Sequence, residues 1–352
     1  MTFTDLRLQN YRSYSDASFD LGSGVNIVVG PNAAGKTNLL EAIMVASIGK
    51  SYRARDAQLV NNTSQWARID VHTSENGLRT VKLQNDPAGK MVKTFEIDEK
   101  TFKRFPPTQK QPVVLFEPND LQLIESEPSL RRNYFDDLLE QYIPSFEQHR
   151  SHYKRVVAQR NALLKQGVRG TSQLFAWNLR LVDLGEQIVK QRLALIETIN
   201  HQLSDIYCEV AGHDKNIKIK YESSLVTDNY GTNLLRKLES SQDLDIARGF
   251  TGSGPHRDDI VVYFGDQPAL LSASRGEIRT LLLGLKIMEL RVLEKERSVR
   301  PILLLDDVFS ELDGARRKAL TNFLKDYQTI ITTTDADIVV QHFSDKCNVL
   351  AL

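Results

Sequence analysis

Cysteine is scarce in this chain. Only Cys208 and Cys347 occur, far apart and without metal-ligand spacing. That excludes a disulfide framework and a thiolate zinc site, and it sets the expectation of a reduced, cytoplasmic setting. An excess of one charge is missing too, since 45 Lys and Arg balance 45 Asp and Glu. Any nucleic-acid surface must then be a local patch rather than a global field. No segment approaches the ~18–20 apolar residues of a membrane span, and the first residues hold no apolar run resembling a signal peptide. No membrane is expected as a partner, although docking on a membrane protein stays open. Low-complexity segments and internal repeats are absent. What remains is a globular composition, 26% charged and 41% hydrophobic over 352 residues, enough for one large or two ordinary domains.

Within that composition one stretch carries chemistry. Gly30-Pro31-Asn32-Ala33-Ala34-Gly35-Lys36-Thr37 matches the phosphate-binding pattern G-x-x-x-x-G-K-[ST]. Val25 to Val29 before it reads as a short buried strand, and Leu39 to Met44 after it as a helix start. The glycines let backbone N–H groups curl around a polyphosphate, and the helix N-terminus adds its positive dipole end. Lys36 is expected to reach the outer phosphates and Thr37 to ligate Mg²⁺.

A second motif lies near the other end. Ile302 to Leu305 is an apolar run closing on Asp306 and Asp307. It fits a central parallel strand buried on both faces. Asp306 then sits at the C-terminal edge, where open α/β sheets bind ligands, and is expected to hold Mg²⁺ through water. Asp307, one step on, is placed to polarise an attacking water.

The sequence Ser274-Arg275-Gly276-Glu277 opens a helical stretch between these motifs, and Ser310 to Asp313 follows the second one. This order resembles the ATP-binding-cassette superfamily. There the signature contacts, in a head-to-tail dimer, the γ-phosphate held by the other subunit, and a short aspartate loop (here Ser310 and Asp313) follows the acidic strand. Ser-x-Gly before a helix is also an ordinary cap. Arg275 and Glu277 stand where transporters carry glycine and glutamine, and Thr334 stands in place of their switch histidine. The usual γ-phosphate glutamine is replaced by the Glu117–Asp120 neighbourhood, in which no single residue stands out. No Asn-Lys-x-Asp motif occurs, which favours ATP over GTP.

A finer likeness covers nearly the whole chain. Leu6 to Tyr14, Gly49 to Arg53, Phe116 to Leu121 with Arg131-Arg132, Gly254 to Asp259, and Leu305 to Asp313 are similar, in order, to the RecF family of recombinational-repair ATPases related to SMC heads. The resemblance implies an ATP-gated DNA-binding protein that acts at single-strand gaps and supports replication and SOS induction. It implies weak DNA-stimulated ATP hydrolysis, an ATP-dependent homodimer, binding to gapped, single- and double-stranded DNA, and work with RecR and RecO. Candidate DNA contacts are Lys50, Arg53 and Arg55, the helix with Arg150, Lys154, Arg155 and Arg160, and Lys215, Lys218 and Lys220. Each patch also reads as a solvated basic face. The alternative function is a cassette ATPase subunit that energises a transporter, although such cassettes place the acidic strand much sooner after the phosphate loop.

The expected fold is α/β: an ABC-type P-loop ATPase head, residues 1–120 plus 252–352, interrupted by a mostly helical lobe, residues 121–251. The head's first segment is expected to hold strands around a turn at Glu75-Asn76-Gly77, then strands at Met91–Asp98 and Val113–Phe116. In the lobe, a helix to Gln166 and a long one from Thr171 to Ala211 are expected to form an antiparallel hairpin. Ile217–Ser224 reads as a strand returning to the head, Asn229–Ala247 as a helix, and Ile260–Phe264 as a head strand. His256 and Arg257 are either DNA or nucleotide contacts or part of a turn fixed by Gly254-Pro255.

Overall fold

The structure, a computed structural model, describes residues 1–167, 172–335, 339–341, 343 and 347–352, without the side chains of Ser172, Ser310 and Glu311. It divides into two compact units, Met1–Asp120 with Glu289–Leu352, and Leu121–Met288. Strands run in chain order as β1 (Phe3–Tyr11), β2 (Tyr14–Asp20), β3 (Val25–Val29), β4 (Trp66–Thr73), β5 (Leu78–Asn85), β6 (Met91–Ile97), β7 (Lys100–Phe102) and β8 (Val113–Phe116). The second unit adds β9 (Ile217–Glu222), β10 (Asp259–Phe264) and β11 (Gln267–Pro268), and the chain closes with β12 (Ile302–Asp306), β13 (Thr329–Thr333) and β14 (Cys347–Ala351).

The first unit holds two sheets. One is wholly parallel, in the order β14-β3-β13-β12-β8; the other is antiparallel, β2-β1-β4-β5-β6-β7. In β12, Ile302 to Leu305 are all buried, as a parallel strand covered on both faces requires. β4 instead alternates, burying Ala67, Ile69, Val71 and Thr73. The helix Lys36–Ile48 touches strands of both sheets. That explains its nearly continuous apolar sequence, with Leu39, Leu40, Ala42, Ile43, Met44 and Val45 all buried. The turn expected at Glu75 to Gly77 joins β4 to β5, with Asn76 at φ 59°.

The second unit is mostly helical, with the small sheet β11-β10-β9. Helices Phe146–Lys165 and Ser172–Asn200 run antiparallel: Arg160 bonds Asn178, and Tyr153 lies against Gly185. The expected helix to Ala211 is broken. It ends at Asn200, and a new helix starts at Leu203. The reason is in the side chain of Asn200, which donates to the Ile219 carbonyl at 2.9 Å and accepts from the Ile219 N–H at 2.8 Å. Ser204 pairs likewise with Ile217, so the break fits this part of the chain to β9. Thr171 lies outside the described residues. The expected helix over 229–247 is likewise split at Ser241, into Tyr230–Ser240 and Gln242–Arg248.

The compact units do not divide near residue 252. β10 pairs with β9 along its whole length, from Asp259↔Glu222 to Phe264↔Ile217. That ladder ties residues 259–264 to the lobe and moves the division to Met288/Glu289. No described helix is long and apolar enough to cross a membrane.

Candidate nucleotide site

The phosphate loop leaves β3 at Val29 and enters the helix at Lys36. Gly35 sits at φ 104°, and a Cβ there would meet Ser13 Oγ and Tyr14 Oη at 2.9 Å, so only glycine fits. Tyr14 donates to the Gly35 carbonyl at 3.1 Å, and burial pushes its phenol up to about 12. Pro31, Asn32 and Ala33 are exposed at the loop tip. Lys36 is buried, and its ammonium curls onto its own loop, donating to the carbonyls of Gly30 at 2.7 Å and Pro31 at 2.9 Å. These partners are neutral, so phosphate oxygens at the same place would gain a full charge pairing.

The two motifs meet. Thr37 Oγ1 donates to Asp306 Oδ1 at 3.1 Å. Thr332 Oγ1, from the neighbouring strand, donates to the same oxygen at 2.7 Å. The parallel register places Asp306 beside Thr332, and the Asp307 N–H donates to Thr332 Oγ1 at 3.0 Å. Asp307 itself sits at φ 53°, where the backbone turns out of β12; aspartate tolerates that region better than most residues. A hydroxyl and a carboxylate side by side suit a hard cation that completes its shell with water and phosphate oxygens. Among the described residues no cluster of three or more His, Cys, Asp or Glu offers an all-protein metal cage.

Beside the loop lies an ion-pair cluster that sequence reasoning missed. Glu41 is fully buried and takes both Nε (2.8 Å) and Nη2 (2.9 Å) of Arg12, Ser51 Oγ at 2.5 Å and Arg53 Nη2 at 3.2 Å. Burial pushes the carboxyl up, but these donors together outweigh it and hold Glu41 below its ordinary range. Thr332 was missed as well, and local pattern holds no signal for it. For Arg12 and Glu41 the opposite charges were visible; their meeting was not.

Ser274 caps the helix Arg275–Arg297 through a capping box. Its N–H and its hydroxyl both donate to Glu277 Oε2 at 2.7 Å, and Glu277 N–H returns to Ser274 Oγ at 3.3 Å. The hydrogen bond from Ser274 holds the Glu277 carboxyl low. Ser274 and Arg275 are exposed, Gly276 and Glu277 partly so.

The remaining candidates fall out as follows. Asp313 caps the helix Gly314–Leu324, accepting from Arg316 N–H at 2.9 Å and pairing with the Arg316 side chain. The side chain of Ser310 lies outside the described residues. Asp120 turns back to accept from Glu117 N–H at 2.9 Å. Thr334 is exposed. Arg53 is engaged by Glu41 and Asn38, Lys50 is half-buried, and Arg55 and Arg155 are exposed. Arg150 and Arg160 do not belong to a solvated face: both are buried in ion pairs, Arg160 with Asp245 at 2.8 Å. Lys218 and Lys220 alternate outward on β9, and Lys220 lies 3.8 Å over the Tyr263 ring. His256 is a structural group, accepting at Nδ1 from Tyr153 Oη (2.7 Å) and facing the Thr251 carbonyl through Nε2 (3.2 Å). Burial lowers it to about 4.

A family model described as an AAA domain matches residues 5–210. The DNA replication and repair protein RecF of Clostridium beijerinckii is 32% identical, over 99% of this chain and 96% of its own. The solved structure of a recombination mediator protein RecF-ATPrS in the RecFOR pathway superimposes with a TM-score of 0.87 at 28% identity, covering 99% of this chain and 96% of that one. An Smc head bound to the C-winged helix domain of ScpA reaches a TM-score of 0.53 at 15% identity over 97% and 92% of the two chains, a likeness of fold alone.

Proposed function

This chain belongs to the RecF family of DNA replication and repair proteins, and from that premise we propose an ATP-dependent DNA-binding protein of recombinational repair at single-strand gaps, supporting replication and SOS induction. The observation that carries the reading is the 3.1 Å hydrogen bond between Thr37 and Asp306, which unites two motifs 269 positions apart. The loop Gly30–Thr37 binds the polyphosphate of ATP through its N–H groups. Lys36 exchanges its loop carbonyls for phosphate oxygens. Thr37, and Asp306 through water, would hold Mg²⁺, which when bound would offset part of the phosphate charge. Asp307 orients and deprotonates the attacking water in a slow, DNA-stimulated hydrolysis.

The signature Ser274 to Glu277 then completes the nucleotide site of a second copy, with Ser310 and Asp313 as the aspartate loop beside it. ATP holds the two copies together and hydrolysis frees them. Lys50, Arg53, Arg55 and Arg155 are the proposed DNA contacts; Arg55 and Arg155 have the support of exposure. RecR and RecO are the proposed partners. The transporter alternative is set aside, because the RecF relative aligns over nearly the whole chain.

The test pairs two variants. Lys36→Met should lose most ATP affinity in equilibrium binding. Ser274→Arg should keep that affinity yet fail to dimerise with ATP and Mg²⁺ in light scattering. Wild-type affinity in the first variant, or wild-type dimerisation in the second, overturns the corresponding assignment.

A further inference from the structure

A cavity of about 220 Å³ lies inside the second unit, and its wall carries Arg132, Arg150, Lys154 and Arg192 against one carboxylate, Asp136. Three helices converge to build it. Pro128–Tyr142 brings Arg132 and Asp136, Phe146–Lys165 brings Arg150 and Lys154, and Ser172–Asn200 brings Arg192.

The four cations are not equally satisfied. Arg192 is matched: it takes Asp136 through Nε at 2.8 Å and Nη2 at 2.9 Å, and the Pro255 carbonyl at 2.7 Å. Arg150 has carboxylates at its Nη1, Asp137 and Glu140, both at 2.7 Å. Its Nε lies 3.2 Å from Asp136 but makes no hydrogen bond, although the side chain is buried. Arg132 donates from Nη1 to a neutral carbonyl, that of Asp258, at 2.6 Å. Lys154 makes no hydrogen bond or ion pair with any described residue, and its side chain reaches the cavity from an exposed position. Burial first, then a neighbouring cation, Arg192 for Arg132 and Arg150 for Lys154, lowers both groups, and this outweighs the opposing pull of Asp259, Asp136 and Asp258 on Arg132 and of Glu140, Asp136 and Asp137 on Lys154. His256, also on the wall, is neutral near pH 7 and cancels nothing.

A cavity walled by under-matched cations favours a small multivalent anion. Its volume is several times the ~30 Å³ share of one liquid water, which leaves room for a tetrahedral oxyanion with its waters. We propose that this cavity is a phosphate-group site separate from the phosphate loop, in which Lys154 and Arg132 supply the recognising charges and Arg150 Nε a further donor. The group is either free, as inorganic phosphate or a small phosphomonoester, or the terminal phosphate of a nucleic acid. The inference does not rest on the nucleotide-site reading, because every residue in it lies in Leu121–Met288.

The test uses the full chain carrying Lys36→Met, which silences the phosphate loop. Titration calorimetry with inorganic phosphate should show one saturable site. Lys154→Gln should weaken it about tenfold, and adding Arg132→Gln should abolish it. Lys165→Gln, an exposed charge at the end of the same helix, should leave it unchanged. Lys154 makes no hydrogen bond or ion pair with a described residue, so its substitution keeps the test valid even where Arg132→Gln impairs folding. A second arm compares a short oligonucleotide with and without a 5′-phosphate: a gain of about tenfold that vanishes in Lys154→Gln assigns the nucleic-acid source, and no gain assigns the free one. Absence of saturable phosphate binding, or equal binding in Lys154→Gln, overturns the proposal.

Discussion

Lys36 and Arg160 are both buried cations, yet they are held in opposite ways. The Lys36 ammonium is met by the carbonyls of Gly30 and Pro31 and forms no ion pair among the described residues. Arg160 is 0% exposed and meets Asp245 at 2.8 Å, Asn178 at 2.7 Å and Thr251 at 2.9 Å. A cation paired with a carboxylate, an amide and a hydroxyl has its charge compensated in place, although the buried Nη2 of Arg160 makes no hydrogen bond. A cation met only by neutral carbonyls keeps its charge for a ligand that displaces them. Asp306 is likewise held by neutral groups, the hydroxyls of Thr37 and Thr332, whereas Asp136 is paired with Arg192, as Glu41 in the first unit is with Arg12.

This contrast can be broken by substitution. In the first unit the largest effect should fall on chemistry and not on folding. Asp307→Asn should lower steady-state ATP turnover by roughly 10²–10⁴, the scale of a lost general base, while still binding ATP and remaining dimeric with it. Turnover at the wild-type rate would remove Asp307 from the reaction.

The second unit should show the reverse. Arg160→Met leaves the buried Asp245 carboxylate uncompensated, so denaturant unfolding should lose on the order of 3–5 kcal/mol. ATP affinity of the folded variant should hold. A near-neutral change would mean that the lobe relaxes around the lost pair.

His256 sharpens the same point through pH. Its folded value is about 4, whereas an unfolded histidine titrates near 6.5. Between those values the unfolded chain binds a proton that the folded one refuses, so stability from this group is present above about 6.5 and is lost as pH falls towards 4. The free-energy advantage of the wild type over His256→Gln should therefore shrink by roughly 3 kcal/mol between pH 7 and pH 4. Unfolding curves for both proteins at several pH values give this difference, and a constant gap would show that His256 titrates in the fold as it does in the unfolded chain.

The smallest effect concerns the signature. Glu277→Gln keeps an oxygen to cap Ser274 but removes a negative charge beside the proposed γ-phosphate contact. ATP-dependent dimerisation should tighten by about two- to fivefold, with greater benefit at low salt. Light scattering across ATP concentrations would reveal it, and weaker dimerisation would mean that the carboxylate itself takes part in the contact.

The elements nearest the chemistry were legible because their reasons are local. An apolar run predicts β12 since a covered parallel strand has no solvent face, and the glycine of Gly35 answers to a positive φ and a crowded Cβ position. The helix break at Asn200 was not legible, because the apolar stripe continues through Leu203 and Ile206 while the cause is a side chain bonding to Ile219 on another element. The division of the compact units at Met288/Glu289 was not legible for the same reason: nothing local in Asp259 to Phe264 says that its partner strand is β9 rather than a strand of the head.

Arg150 and Arg160 make the limit concrete. On the helix Phe146–Lys165 they look like Lys154 and Arg155, four of its five Lys and Arg residues, and charge alone cannot rank them. Their carboxylates come from Glu140 and Asp245, on other helices. What the sequence determined by itself was the phosphate loop, the acidic strand, their order and the likeness to the family, since each depends on residues adjacent along the chain. The tertiary structure decided that Thr332 would hold Asp306, that Glu41 would gather Arg12 and Arg53, and that Lys154 and Arg132 would line a cavity with their charge only partly matched. Those outcomes depend on strand register and helix packing, where residues far apart in sequence come within hydrogen-bond range and the match of charges is settled only on contact.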